Sequence, residues 1–373
     1  MDKHKICFIT SARSEYGLLK WIMKDVEISE ELQLQLVVTG AHLLQEQGHT
    51  IDSIKNDGFY IDKIVDAALD LSTKTSIAVS MGRLMQKVAK TFEELSPDMI
   101  VVLGDRYELL PICQAAYIME IPIAHISGGD VTEGAIDDGI RNSVTMLATY
   151  HFPGTKQSLK NIVRMRGSEC NAWAVGEPGL DAFRRVKLLS RVEIADSLGL
   201  NLNKKWGLVT YHSETKISRE ENLKAVNNIL DVLSTLNDYE FVMTYANADF
   251  PGREINEILE EKAQKDERFK VVPSLGQLRY LSFMKQVSFV IGNSSSGIVE
   301  APNLKIPVVN VGNREKGRYQ CQNIYQSSNS KQDLLETVEK AMRFDGKVDD
   351  SMFWGDGHTS ERIVEKLEKI WKK

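Results

Sequence analysis

Asp105, Asp130, Glu133, Asp137 and Asp138 fall in one stretch of the chain, 97–145, at the ends of two apolar runs. MIVVLG (99–104) leads into Gly104, Asp105 and Arg106. IPIAHI (121–126) leads into Ser127-Gly128-Gly129-Asp130, then Glu133, Asp137, Asp138 and Arg141. Runs of this length and composition read as buried parallel strands. Open α/β sheets bind ligands outside the carboxyl ends of their strands. Carboxylates placed there can take a proton from a substrate and return it. Each acid alone has a plainer use, because Asp105 precedes one helical stretch and Asp137–Asp138 open another, where negative charge is stabilising anyway. Five acids at two strand ends favour the chemical reading.

A second polar cluster lies in VIGNSSSGIVEAP (290–302), where an apolar run ends in Gly-Asn-Ser-Ser-Ser-Gly and a helix begins. Free N–H groups at a helix start and three hydroxyls make a cradle for phosphate oxygens, with Ser294 and Ser295 as donors. Glu300, early in that helix, can accept from neutral hydroxyls such as those of a ribose. The plainer alternative is a serine cap beside flexible glycines. The chain carries neither GxxxxGK[ST] nor a GxGxxG after its first strand, so ATP hydrolysis and dinucleotide binding are not indicated. Arg13, in TSARSEYG after the first strand, sits at a helix start where a cation is unfavourable. An anionic ligand explains it; a solvated surface arginine is the bland alternative. His212 ends another strand, in TYHSET, and Arg314, Lys316 and Arg318 follow a third. They read as a diphosphate clamp or as ordinary loop charges.

These groups need a scaffold that brings strand ends together. The chain has 373 residues, 42% hydrophobic and 26% charged, with net charge −6. That is enough for two domains with proper cores. No basic stripe interleaves with aromatics, so a nucleic-acid partner is not expected. Cys7, Cys113, Cys170 and Cys321 show no CxxC spacing and read as reduced thiols, with no metal site expected. No signal peptide or membrane span is legible, which reads as cytoplasmic.

Strands and helices alternate through the first half: 5–10, 32–40, 60–66, the two runs above, 149–154 and 171–179. A second series uses 206–212, 239–247, 269–274, 287–296 and 306–312, after a charged, Leu-rich linker. This is an α/β chain of two Rossmann-like, doubly wound domains, expected to face a central cleft. The expected division is 1–178, 179–358, and a C-terminal helix, 359–373, packing back on the first domain.

TSARSEYG, VTGAHL, LGDRYE, HISGGD with IDDGIR, YHSET, and IGNSSSGIVEAP with VGNREKGR together resemble the hydrolysing UDP-N-acetylglucosamine 2-epimerases of sialic and related nonulosonic acid synthesis. The resemblance implies a GT-B-like fold and no cofactor. It also implies release of UDP and N-acetylmannosamine from UDP-N-acetylglucosamine through a 2-acetamidoglucal, by a homo-oligomer, dimer or tetramer. Asp105, Asp137 and His212 match the catalytic groups. Arg13, Glu300 and Arg314 match nucleotide contacts, and His42, Arg141, Asn247, Ser294 and Ser295 complete the expected binding set. Three departures stand out. Ser127 occupies the place of a family acid in HISGGD, the following loop brings an extra Glu133, and Ser213 follows the histidine where proline is usual. Glu133 or Asp130 is therefore expected to supply the missing carboxylate. UDP-N,N′-diacetylbacillosamine is an alternative substrate on a legionaminic acid route. A GT-B glycosyltransferase and a non-catalytic sugar-nucleotide sensor are further alternatives.

Overall fold

The computed structural model describes residues 3–45, 48–133, 136–247 and 249–372. The chain divides into two compact units. Unit 1 holds Met1–Asp130, Asp137–Asp181 and Trp354–Lys373; unit 2 holds Val131–Ile136 and Ala182–Phe353.

Unit 1 runs β1 (His4–Thr10), α1 (Arg13–Ile28), β2 (Leu32–Thr39), α2 (Ile51–Asn56), β3 (Lys63–Val65), α3 (Lys74–Leu95), β4 (Met99–Leu103), α4 (Leu109–Ile118), β5 (Ile123–Ile126), α5 (Asp137–Leu147), β6 (Tyr150–Phe152) and α6 (Lys156–Arg166). Unit 2 follows with α7 (Ala182–Arg185), α8 (Arg191–Leu198), β7 (Lys205–Thr210), α9 (Arg219–Ser234), β8 (Tyr239–Thr244), α10 (Gly252–Lys265), β9 (Phe269–Val272), α11 (Gly276–Met284), β10 (Phe289–Gly292), α12 (Ser295–Leu304), β11 (Val308–Val311), β12 (Ile324–Ser327) and α13 (Lys331–Met342). The chain then returns to unit 1 as α14 (Thr359–Ile370).

Among the described residues the strands form two six-stranded sheets, ordered β3-β2-β1-β4-β5-β6 and β12-β11-β10-β7-β8-β9, with parallel pairing throughout. Counted from its own first strand, each sheet has the order 3-2-1-4-5-6 of a doubly wound nucleotide-binding fold. The switch point, where strand order reverses, lies between β1 and β4 in unit 1 and between β7 and β10 in unit 2. Ligands of such sheets bind there.

Side chains alternate across each strand, so both faces of each sheet are apolar. Ile6 and Phe8 of β1 pack with Leu19, Ile22 and Met23 of α1 and with Ile363 and Leu367 of α14. Cys7 and Ile9 face the other way, onto Leu84, Val88 and Phe92 of α3 and Ile112 of α4. In unit 2, Val209 of β7 joins α9, α10 and α13, whereas Trp206 and Leu208 join α8, α11 and α12. Local signals set the helix starts: Ser190 and Ser218 form capping boxes with Glu193 and Glu221.

The stretch 171–179 is not the strand its apolar residues suggest. Ala172 makes a single bridge to His151, and the chain then turns through Pro178–Asp181. Gly176 and Pro178 interrupt the run, and proline cannot donate to a ladder. Strand β12 was not legible in the sequence. It is a short, half-exposed edge strand without the apolar density of the inner ones. All four cysteines are free, three of them buried. No helix among the described residues is long and apolar enough to cross a membrane.

Candidate active site

In unit 1 the two strands at the switch point end in TSAR and GDR. Arg13 is the first residue of α1, and the helix start is closed by Glu15, whose carboxylate accepts from the Ser11 amide at 2.7 Å. Burial pushes the Glu15 carboxyl up to about 7, against the pull of the nearby Arg106 guanidinium. Arg106 in turn donates to the fully buried Glu108 through Nε at 3.2 Å. The TSAR and GDR turns are thus stiffened from beneath by buried charge.

Asp105 follows β4 and forms an ion pair with Nη2 of Arg141 on α5. Nη1 of Arg141 donates to the Asp130 carbonyl at 2.9 Å and to Asp138 Oδ1 at 3.4 Å. Arg141, expected among the substrate contacts, is only 1% exposed. It brackets two carboxylates from within. Asp137 opens α5 and is half-buried beside this bracket. His125 on β5 holds the same turn from the other side. Its Nε2 donates to the Gly104 carbonyl at 2.8 Å, which leaves Nδ1 to accept from Thr145 at 3.2 Å. Burial depresses its pKa to about 4, so the ring is neutral.

The remaining expected residues of the first half separate. His42 is fully buried between Thr10 Oγ1 at 2.9 Å and Thr50 Oγ1 at 2.7 Å, with a pKa lowered by burial to about 3. Both of its ring nitrogens are engaged inside unit 1. The Asp130 carboxylate accepts from Ser158 Oγ at 2.6 Å, fastening its loop to the start of α6. Glu133 belongs to the 131–136 segment of unit 2, where its exposed carboxylate pairs with Lys316 at 2.8 Å. Ser127 does have a carboxylate beside it, Glu177 Oε2 at 2.9 Å. Sequence reasoning passed over Glu177; the only signal was an acid in the Gly-Glu-Pro-Gly break after an apolar run.

In unit 2 the ends of β7 and β10 are fastened to each other. The His212 amide donates to Asn293 Oδ1 at 2.7 Å, and Asn293 Nδ2 donates back to the His212 carbonyl at 2.9 Å. Gly292 must be glycine, since a Cβ there would lie 1.9 Å from the Thr210 carbonyl oxygen. The Asn247 amide donates to His212 Nδ1 at 3.1 Å, which puts the proton of the neutral imidazole on Nε2.

Ser294 caps α12, and its Oγ lies 3.0 Å from Ser296 Oγ, which meets the Tyr280 hydroxyl. Ser295 is exposed in the first turn. Glu300 lies on the same helix, and burial pushes its carboxyl up to about 7 against the opposing pull of Arg318. Arg314 donates to the Asn293 carbonyl at 3.2 Å, and both Arg314 and Arg318 pair with the buried Glu315. The cationic loop thus carries its own counter-charge, while at the start of α12 the Ser296 amide meets Ser294 Oγ at 3.4 Å and the Gly297 amide donates to the Ser294 carbonyl at 3.1 Å.

Unit 1 holds a bracketed set of carboxylates, and unit 2 holds a serine-capped helix start beside a histidine with a defined tautomer. Both sets lie at the switch points of nucleotide-binding sheets. Two such Rossmann-like units in one chain define a GT-B-like fold. Residues 24–368 match the UDP-N-acetylglucosamine 2-epimerase family, and the chain belongs to that family. The GDP/UDP-N,N′-diacetylbacillosamine 2-epimerase (hydrolyzing) of Campylobacter jejuni is 36% identical, covering 91% of this chain and 88% of its own. The UDP-N,N′-diacetylbacillosamine 2-epimerase (hydrolyzing) of Legionella pneumophila is 30% identical, covering 98% and 96%. The solved structure of Methanocaldococcus jannaschii UDP-GlcNAc 2-epimerase in complex with UDP-GlcNAc and UDP shares the fold. Its TM-score is 0.82 at 19% identity, covering 98% of this chain and 99% of that one.

Proposed function

We propose that this chain hydrolyses UDP-N,N′-diacetylbacillosamine with inversion at carbon 2, releasing UDP and the 2-epimeric free sugar. The observation that carries the substrate is the pair of relatives named for that sugar, 36% and 30% identical across 91% and 98% of the chain. UDP-N-acetylglucosamine, the substrate expected from the motif resemblance, becomes the alternative.

The reaction fits the residues. Carbon 2 of the sugar is not next to a carbonyl, so its hydrogen is hardly acidic in the ground state. Breaking the bond from carbon 1 to UDP creates an oxocarbenium-like centre that acidifies it. Stabilising the departing diphosphate therefore supplies much of the rate. In this reading, the start of α12 with Ser294 and Ser295, His212 Nε2–H and Arg314 receive the diphosphate, and Glu300 takes the ribose hydroxyls. Arg13 adds positive potential from the first turn of α1. Asp105 and Asp137 remove the carbon 2 proton, giving a glycal. A proton returns to carbon 2 on the opposite face and water adds at carbon 1. The balance is one UDP-sugar and one water in, one UDP and one inverted sugar out.

The test is incubation in deuterated water with UDP-N,N′-diacetylbacillosamine and, separately, UDP-N-acetylglucosamine. Nucleotide release and deuterium at carbon 2 are followed together. The expected result is faster release from the first, with one deuterium at carbon 2 of the product. Faster release from the second overturns the substrate, and release without deuterium overturns the mechanism.

A further inference from the structure

Ser127 directly follows β5 and has φ +56, a left-handed conformation that is unfavourable for a residue with a Cβ. Two bonds hold it there. Its amide donates to the Phe152 carbonyl at 3.0 Å, and its hydroxyl donates to Glu177 Oε2 at 2.9 Å. Glu177 is 7% exposed. A Cβ on Gly154, just beyond β6, would lie 1.7 Å from Glu177 Oε1, so a glycine there is what admits the carboxylate. The main chain of Glu177 is fixed as well: its amide donates to the Trp354 carbonyl at 2.8 Å, and its carbonyl accepts from Thr359 Oγ1 at 3.3 Å. Trp354 is the first residue of the last segment of unit 1, and Glu177 lies four residues before its second segment ends at Asp181.

The loop that Ser127 begins ends at Asp130, whose carbonyl accepts from Arg141 at 2.9 Å, and Arg141 grips Asp105. The residue two before Ser127, His125, holds the Gly104 carbonyl next to Asp105. Two supports of the Asp105 turn, Arg141 through the Asp130 carbonyl and His125, thus engage the chain within three residues of Ser127, and Ser127 is anchored by Glu177.

We propose that Glu177 is a positioning residue for the reaction. Through Ser127 it holds the 127–130 loop in the conformation that lets Arg141 and His125 aim Asp105. This rests on the 2-epimerase reading above, and it gives the carboxylate beside Ser127 a supporting role, distinct from the catalytic one expected of Glu133 or Asp130. Glu177 acts through another residue rather than on the sugar.

The test compares Glu177→Ala, Glu177→Gln, Ser127→Ala and the double variant Ser127→Ala/Glu177→Ala by kcat, KM, UDP affinity and amide exchange. Misplacing a catalytic group by about an ångström costs on the order of 100-fold, so Glu177→Ala should lower kcat by about 10- to 100-fold. KM and UDP affinity should stay within about twofold, because Ser294, Glu300 and their neighbours are untouched. Glu177→Gln keeps an acceptor for Ser127 and should retain most of the activity. The double variant should be no slower than the worse single one, as expected for residues acting in series. Amide exchange at 127–130 should rise about tenfold or more in Glu177→Ala and Ser127→Ala, while the rest of unit 1 keeps its protection. Wild-type kcat in Glu177→Ala, additive losses in the double variant, or unchanged exchange at 127–130 would each overturn the proposal. If Glu177→Ala does not fold, Ser127→Ala and Glu177→Gln carry the same comparison. The exchange readout needs no substrate: a wild type that turns over neither UDP-sugar defeats the functional reading, while the loop result still decides this one.

Discussion

His212 and Asn293 hold the two switch-point strands of unit 2 together through a reciprocal pair of hydrogen bonds, at 2.7 and 2.9 Å, with Asn293 fully buried. One amide side chain satisfies both backbone groups of the histidine. Asn293→Ala leaves a buried donor and a buried acceptor without that partner, a loss of about 2–4 kcal/mol in urea unfolding. Asn293→Asp keeps the acceptor for the His212 amide but turns a carboxylate oxygen towards its carbonyl. It should be less stable than wild type at neutral pH. Wild-type stability in both variants would show that the bracket contributes nothing.

Arg141 offers a second test because its guanidinium serves three oxygens at once. Arg141→Lys keeps the charge but cannot reproduce the planar fork that reaches Asp105, Asp138 and the Asp130 carbonyl together. Under the proposed function, kcat should fall by about 100-fold, with UDP affinity measured by calorimetry unchanged. Arg141→Ala removes one side of a buried ion pair and should also destabilise unit 1 by about 3–5 kcal/mol.

Glu300 gives nucleotide binding a pH signature. Its carboxyl is pushed up to about 7, chiefly by burial. If the ionised form accepts the ribose hydroxyls, UDP affinity rises as pH increases from 6 to 8, because binding releases the proton that free Glu300 holds below its pKa. Glu300→Gln should flatten that rise. Titration calorimetry in buffers of different ionisation enthalpy measures the proton release directly. A wild-type affinity independent of pH would exclude Glu300 from the contact.

Acid sensitivity follows from the buried rings. His42 and His151 are depressed to about 3 and His125 to about 4, each chiefly by burial. Unfolded histidine titrates near its ordinary value, so between about pH 6.5 and 4 the unfolded chain binds more protons at these sites, and they make stability fall on acidification. Glu15 and Glu300, raised to about 7, act in the opposite sense over that range. Glu214, also raised chiefly by burial, acts in the same sense as these two acids, so the acids offset much of what the three histidines lose. Glu15→Gln removes one of the opposing acids and should steepen the acid loss. Urea midpoints between pH 5 and 7 read both slopes.

Most of the scaffold was legible because inner parallel strands must be apolar on both faces and helices between them carry their own caps. Ile6–Phe8 against Cys7–Ile9, or Ser218 with Glu221, declare their elements without any partner in view. The edges were not legible in the same way. Strand β12 is half-exposed, and 171–177 is apolar for packing rather than pairing.

The strand ends that carry polar clusters can be read from the chain alone, since the polar groups of TSAR, GDR, SGGD, YHSE and GNSSS each directly follow an apolar run. What each polar group touches there is set by the folded chain. Arg141 turned inward to bracket Asp105, His42 was enclosed by Thr10 and Thr50, and the Asn247 amide met His212 Nδ1. Glu177 came to Ser127 from 50 residues away in sequence. The physical reason is that a strand end restricts a residue to a rim, whereas the partner of a buried charge is set by which distant segment closes over it. That closure leaves no periodicity in the chain.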